Sequence, residues 1–228
     1  MRINLTKKFV FLANPHCGSH LVRNLLNPHS DIIEEINPIT PNQNIHVSAA
    51  NLKNIFANSH EQEQINKQYW LWDSYYKFTT ISNPFRRIVR HYFFSKPDAN
   101  FVPYYENEHD TNTEFAHGFN DWLKNRYTNG RLLTNYLDFC CDENDVCLLN
   151  DVLKIEEPQI IMDKVKEKAL IDILIPDLTA ANLSERDSRV EHINWEGDPY
   201  SLYNQESRNL VEQMYQKDIE LFNYTFGA

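Results

Sequence analysis

The chain carries one local pattern twice: a short apolar run, a tight polar loop, then apolar residues at helical spacing. In the first copy, Phe9-Val10-Phe11-Leu12 follows two lysines and ends at Asn14-Pro15. Aromatic and β-branched residues in so short a run predict a buried strand. After Gly18-Ser19, the stretch Leu21-Val22-Arg23-Asn24-Leu25-Leu26 has the spacing of a helix, and Ser19 is placed to cap it. In the second copy, Lys77-Phe78-Thr79-Thr80-Ile81 predicts a strand that ends at Ser82-Asn83-Pro84. Residues 86–94 then predict a helix with Ile88, Val89 and Tyr92 on one face and Pro84 near its start. Two strand–loop–helix units in succession imply an α/β fold with a parallel sheet.

Other segments add to this frame. A short helix is expected over Ala49–Phe56, another over Phe115–Leu123, and a weak strand at Val152–Ile155 followed by a helix to about Lys168. Glu206–Tyr224 predicts one long amphipathic helix with Leu210, Val211, Met214, Tyr215 and Phe222 on its apolar side. Residues 27–45 and 98–112 are polar connections. With only 5 glycines and no low-complexity tract in 228 residues, linkers and repeats are not expected, and a single domain over 1–228 is.

The balance of 32 acidic against 22 basic residues, a net charge of −10, disfavours a general binder of nucleic acid or of anionic membrane, which needs a positive face. A small anionic ligand needs only a local cluster of cations and backbone donors, so it stays open. The spacing of Cys17, Cys140, Cys141 and Cys147 does not suggest a disulfide framework. No stretch is apolar enough for a signal peptide or a membrane span, so the expectation is a cytoplasmic protein.

Two constellations carry chemistry. Asn14-Pro15-His16-Cys17-Gly18-Ser19-His20 joins a strand to a helix, where converging N–H groups and the helix dipole favour an oxyanion. It lacks the lysine of a Walker A loop, which disfavours a P-loop kinase or nucleotidyl enzyme. Ser82-Asn83-Pro84-Phe85-Arg86-Arg87-Ile88-Val89-Arg90-His91-Tyr92 is the densest basic cluster, with Arg86 and Arg90 sharing a helical face. Two anion sites suit a ligand with two separated phosphate ends.

Together these motifs resemble the signature pair of the sulfotransferases that use 3′-phosphoadenosine 5′-phosphosulfate (PAPS), most closely the carbohydrate-sulfating branch with its bacterial members. The segments His46–Leu52, Thr113–Leu123, Val152–Glu156, Asp198–Tyr203 and Val211–Tyr224 are also similar to that family, in the same order. The resemblance implies a P-loop-like three-layer fold, with a mainly parallel central sheet flanked by helices. It implies transfer of a sulfuryl group from PAPS to a hydroxyl of a carbohydrate or similar acceptor, leaving adenosine 3′,5′-bisphosphate. Pro15, His16, Cys17, Gly18, Ser19 and His20 would then hold the 5′-phosphosulfate, and Ser82, Arg87 and Arg90 the 3′-phosphate.

Departures from the family pattern are specific. His16 stands in place of a lysine that stabilises the leaving oxygen. Ser82 replaces an arginine and Arg90 a serine, an exchange that would keep one guanidinium and one hydroxyl at the 3′-phosphate. Arg87 matches a family arginine but also suits a structural ion pair. The base that takes the acceptor proton is expected to be a histidine, His46 first and His20 second, and His16 is the third catalytic candidate. No metal site is expected, because His16, Cys17 and His20 have no evident fourth ligand. The remaining histidines read as surface residues. A non-catalytic protein that keeps the fold and binds a nucleotide or glycan is the alternative. Acceptor choice is expected in the 27–45 and 98–112 loops, where Phe101, Tyr104 and Tyr105 offer faces for a sugar or anchors to the core.

Overall fold

Strict alternation along β2 (Phe9–Leu12) organises half of the molecule. In the computed structural model, Phe9 and Phe11 belong to one apolar cluster and Val10 and Leu12 to another, as the two faces of a strand require. The structure describes residues 1–32, 46–62, 71–95, 118–175 and 198–227. These fall into two compact units, residues 1–82 with 136–179, and residues 83–135 with 180–228.

The first unit holds a four-stranded sheet in the order β1 (Arg2–Asn4), β2, β3 (Tyr76–Ile81), β4 (Asp151–Lys154). β2, β3 and β4 are parallel, with Phe11 opposite Phe78 and Thr79 opposite Val152. β1 is antiparallel to β2 and was not anticipated, since Ile3 is the sole apolar residue among its three. The parallel sheet and the α/β class expected from the two strand–loop–helix units are both present.

Helices cover both faces. On one side α1 (Ser19–Leu26) and α6 (Pro158–Ala169) bury Val22, Leu26, Ile161, Val165 and Ala169 with Phe9, Phe11 and Phe78. The buried positions of α1 are 19, 22, 23 and 26, the i, i+3, i+4, i+7 stripe of an amphipathic helix. On the other side α2 (Ala49–Gln62) and α5 (Tyr136–Cys140) pack Leu52, Phe56, Phe139 and Cys140 with Val10 and Leu12. Each apolar side chain removed from water contributes about 1.5–3 kcal/mol, so these two clusters dominate the stability of the unit. Lys77 occupies a buried position in β3, with its ammonium donating to the carbonyls of Trp72 (3.2 Å) and Tyr75 (2.9 Å). Burial lowers its pKa.

Several boundaries differ from expectation. α1 begins at Ser19 and its cap is Gly18, so Ser19 is the first helical residue and not the cap. α2 runs six residues past Phe56. The short α5 was not foreseen, because five residues are too few to show a period.

The second unit is helical as described: α3 (Pro84–Ser95), α4 (Phe119–Thr128), α7 (Gln205–Met214) and α8 (Gln216–Leu221). Asn83 starts α3 by accepting from the Phe85 N–H at 3.1 Å, and Pro84 occupies the first turn, where no donor is needed. Phe85, Ile88, Val89, Tyr92, Phe119 and Trp122 form its core with Val211 and Tyr215. The single C-terminal helix expected over 206–224 is instead two. It breaks at Tyr215, whose backbone leaves helical geometry (φ −109, ψ 23) while its buried hydroxyl donates to the Leu133 carbonyl. α7 opens with a reciprocal cap between Asn204 and Ser207.

His91 is buried beside Trp122 and is not the surface residue its sequence context suggested. Burial first, then the charges of Arg126 and Arg87, hold its pKa down to about 3, so the imidazole is neutral. The helix expected over 115–123 is described from Phe119 onward; residues 115–117, most of the 27–45 connection, the 98–112 connection and Phe101, Tyr104 and Tyr105 lie outside the described residues. Among the described residues, no helix is long and apolar enough to cross a membrane.

Candidate active site

In an open parallel sheet, ligands bind beyond the carboxyl ends of the strands, where loops are free to vary while the strands hold position. The first unit brings most of the sequence candidates to that edge. β2 ends at Leu12, and Ala13 and Asn14 follow, both buried. Pro15 to Gly18 then turn into α1.

The backbone of this turn is unusual. His16 (φ 57) and Gly18 (φ 71) are both left-handed, and Cys17 between them is not. Alternation of this kind points successive N–H groups toward a common concavity, a geometry suited to an anion. At the same point α1 presents its first N–H groups and the positive end of its dipole. The Val22 N–H closes the first helical bond to the Gly18 carbonyl at 3.2 Å.

Gly18 is required for two reasons. Its φ is one that other residues adopt at a cost, and a Cβ here would sit 2.5 Å from Ile155 Cγ1 and 2.7 Å from Cδ1. Ile155 is itself buried at the end of β4, with its N–H donating to the Ile81 carbonyl at 2.8 Å. The loop after β2 is thus seated on the chain leaving β4.

Tyr136 ties the loop to β3. Its hydroxyl donates to the Ser82 carbonyl and accepts from the Ser82 N–H at 3.1 Å. The same oxygen lies 3.5 Å from Cys17 Sγ, which also stands 3.1 Å from the Pro15 carbonyl oxygen. The Ser82 hydroxyl donates to Glu156 Oε1 at 3.0 Å, and Ser82 is fully buried. A carboxylate therefore holds the hydroxyl that the resemblance assigns to a phosphate.

His46 is fixed by a 2.6 Å contact between Nδ1 and the Ala13 carbonyl oxygen. A carbonyl can only accept, so Nδ1 carries a proton and Nε2 is the basic nitrogen of the neutral ring. His20, on the first turn of α1, has Nδ1 3.4 Å from Asn24 Nδ2. Ser19 is buried at the helix start, and His16 is partly exposed.

The arginines that the resemblance assigns to a phosphate, Arg87 and Arg90, belong to the other unit. Arg87 is buried, and one guanidinium nitrogen donates to the Thr134 carbonyl at 2.8 Å, so it braces the chain there. Arg90 is partly exposed on the same helix, α3. Among the described residues, no group of three His, Cys, Asp or Glu side chains is arranged to hold a metal ion.

Sequence reasoning missed Tyr136 and gave Glu156 no role. Glu156 ended the Val152–Glu156 segment and was legible there as a strand-end carboxylate. Nothing near Tyr136 in the sequence marks it. Comparison with protein-family models, with curated proteins and with solved structures finds no match to this chain.

Proposed function

We propose that the chain is a sulfotransferase that moves the sulfuryl group of PAPS to a hydroxyl of a carbohydrate or similar acceptor. The observation that carries this reading is the left-handed pair His16 and Gly18, which shapes an anion cradle at the start of α1 and at the carboxyl edge of a parallel sheet. The motif resemblance names the anion as the donor's 5′-phosphosulfate. Backbone N–H groups of the loop hold it, and Ser19 adds a hydroxyl.

Sulfuryl transfer resembles phosphoryl transfer in needing position and charge stabilisation more than covalent help. The acceptor oxygen forms a bond to sulfur while the bond from sulfur to the phosphate oxygen breaks. His46, oriented by the Ala13 carbonyl, takes the acceptor proton on Nε2, with His20 as the second choice. His16, as an imidazolium, stabilises the departing phosphate oxygen. Ser82 is assigned to the 3′-phosphate by resemblance alone.

One observation favours the alternative of a non-catalytic nucleotide- or glycan-binding protein. The Ser82 hydroxyl is already donated to Glu156, and that carboxylate opposes a phosphate at the same place. Calorimetric titration with adenosine 3′,5′-bisphosphate and with ATP, followed by transfer from labelled PAPS to a panel of saccharides, separates the readings. Micromolar binding of the bisphosphate with labelled product supports the enzyme. Binding without transfer to any acceptor supports the alternative, and preference for ATP overturns the sulfotransferase reading.

A further inference from the structure

Cys141 and Cys147 oppose each other across a short antiparallel bridge that follows α5. The Asp142 N–H donates to the Val146 carbonyl at 3.0 Å, and the Leu148 N–H to the Cys140 carbonyl at 2.9 Å. These bonds flank the cysteines and do not join them. Such a non-hydrogen-bonded pair brings its Cα atoms to about 4.5 Å, inside the roughly 4.4–6.8 Å that a disulfide spans. The turn between them is braced before any covalent link exists. Asp142 Oδ1 accepts from the N–H groups of Asn144 (2.9 Å) and Val146 (3.0 Å), and Asp145 is left-handed (φ 59).

The two thiols differ in the way that a stepwise oxidation needs. Both are free, Cys147 exposed and Cys141 buried. Burial first, then the Cys147 thiol and the carboxylates of Asp145 and Asp142, push Cys141 up to about 11. Cys141 is therefore a protonated, shielded thiol, and Cys147 is the one a small reagent meets first.

We infer that Cys141 and Cys147 form a redox modification site, oxidised to an intramolecular disulfide by low-molecular-weight disulfides such as glutathione disulfide. The Cys147 thiolate attacks one sulfur of glutathione disulfide, the S–S bond breaks, and one glutathione leaves as thiolate. Cys141 then attacks the Cys147 sulfur, expels the second glutathione thiolate and releases its proton to it. The protein dithiol loses two electrons and two protons, and glutathione disulfide is reduced to two thiols. Adjacency offsets the small thiolate fraction of Cys141, because the second step is intramolecular. The closed ring clips the turn that follows the helix carrying Tyr136.

The test is intact-mass and peptide analysis of the full chain after incubation with glutathione disulfide, for the native protein and for Cys141→Ser and Cys147→Ser. The native protein is expected to lose about 2 Da as the disulfide forms, whereas Cys141→Ser keeps an adduct of about 300 Da on Cys147. Cleavage at Asp142, Glu143 or Asp145 should leave the native fragments joined until a reductant is added. Cys147→Ser should show neither product at Cys141. A lasting adduct on native Cys147, within about threefold of the Cys141→Ser level, overturns the proposal, as does no reaction at Cys147. If Cys141→Ser does not fold, the native peptide map and Cys147→Ser decide the matter alone.

Discussion

Replacing Gly18 by alanine tests the seat of the candidate site most directly. The new methyl group must adopt φ near 71 and occupy space 2.5 Å from Ile155 Cγ1. A left-handed backbone costs a residue with a Cβ about 1–2 kcal/mol, and overpacking a dense core adds about 1–3 kcal/mol. The expected loss is therefore about 2–5 kcal/mol, a large part of the roughly 5–15 kcal/mol that holds a typical domain together. Ile155 cannot easily give way, since it is buried and its backbone extends the β3–β4 ladder. Urea unfolding followed by circular dichroism reads the change as a lowered midpoint at constant slope. The double variant Gly18→Ala/Ile155→Ala separates the two causes. Ile155→Ala alone should cost about 2–5 kcal/mol through its cavity, but it removes both atoms that the new methyl would strike. The double variant should then be more stable than the sum of the singles by about 1–3 kcal/mol. Gly18→Ala within about 0.5 kcal/mol of the native protein, or strict additivity, would refute the argument.

Other expectations follow from the same contacts. Tyr136→Phe leaves the buried Ser82 N–H and carbonyl without the hydroxyl that serves both, and should lower the unfolding free energy by about 1–3 kcal/mol in the same assay; an unchanged midpoint would contradict it. If the proposed chemistry holds, His46→Gln should reduce transfer from labelled PAPS by about 10²–10⁴-fold while calorimetry shows unaltered affinity for the bisphosphate. Loss of less than tenfold would remove His46 as the base. For His91 the folded pKa lies near 3, below the ordinary value of 6.5, so the unfolded chain binds more protons between the two. The native protein should therefore keep this contribution above about pH 6.5 and lose it as pH falls toward 3, at up to about 1.4 kcal/mol per pH unit. His91→Phe should flatten that part of the stability profile, and a profile of unchanged slope would count against the burial argument.

Local signals were sufficient where neighbours in sequence are neighbours in space. The run Phe9–Leu12 reads as a strand because its residues are apolar on both faces, and both faces are indeed covered. The helical spacing after Ser19 and after Pro84 gave α1 and α3 for the same reason. The loop from Pro15 to Gly18 was legible as a tight turn between a strand and a helix because a strand, a glycine and a helix start are contiguous.

The rest depended on residues far apart in the chain. Tyr136 meets Ser82 across 54 positions and Cys17 across 119, and Ser82 meets Glu156 across 74. No period or spacing can encode such pairings, since each arises only when parallel strands bring their ends to one edge. The break at Tyr215 is of the same kind: its neighbours favour a continuous helix, and a distant carbonyl at Leu133 holds the side chain at the point where the backbone turns. By itself the sequence determined β2, β3, β4 and most of the helices, together with the loop between β2 and α1, because hydrophobic period and turn chemistry are local. Only the tertiary structure decided that Gly18 rests on Ile155, that Tyr136 pins the loop to β3 and that Glu156 holds Ser82, because contact between distant residues follows from packing and not from spacing.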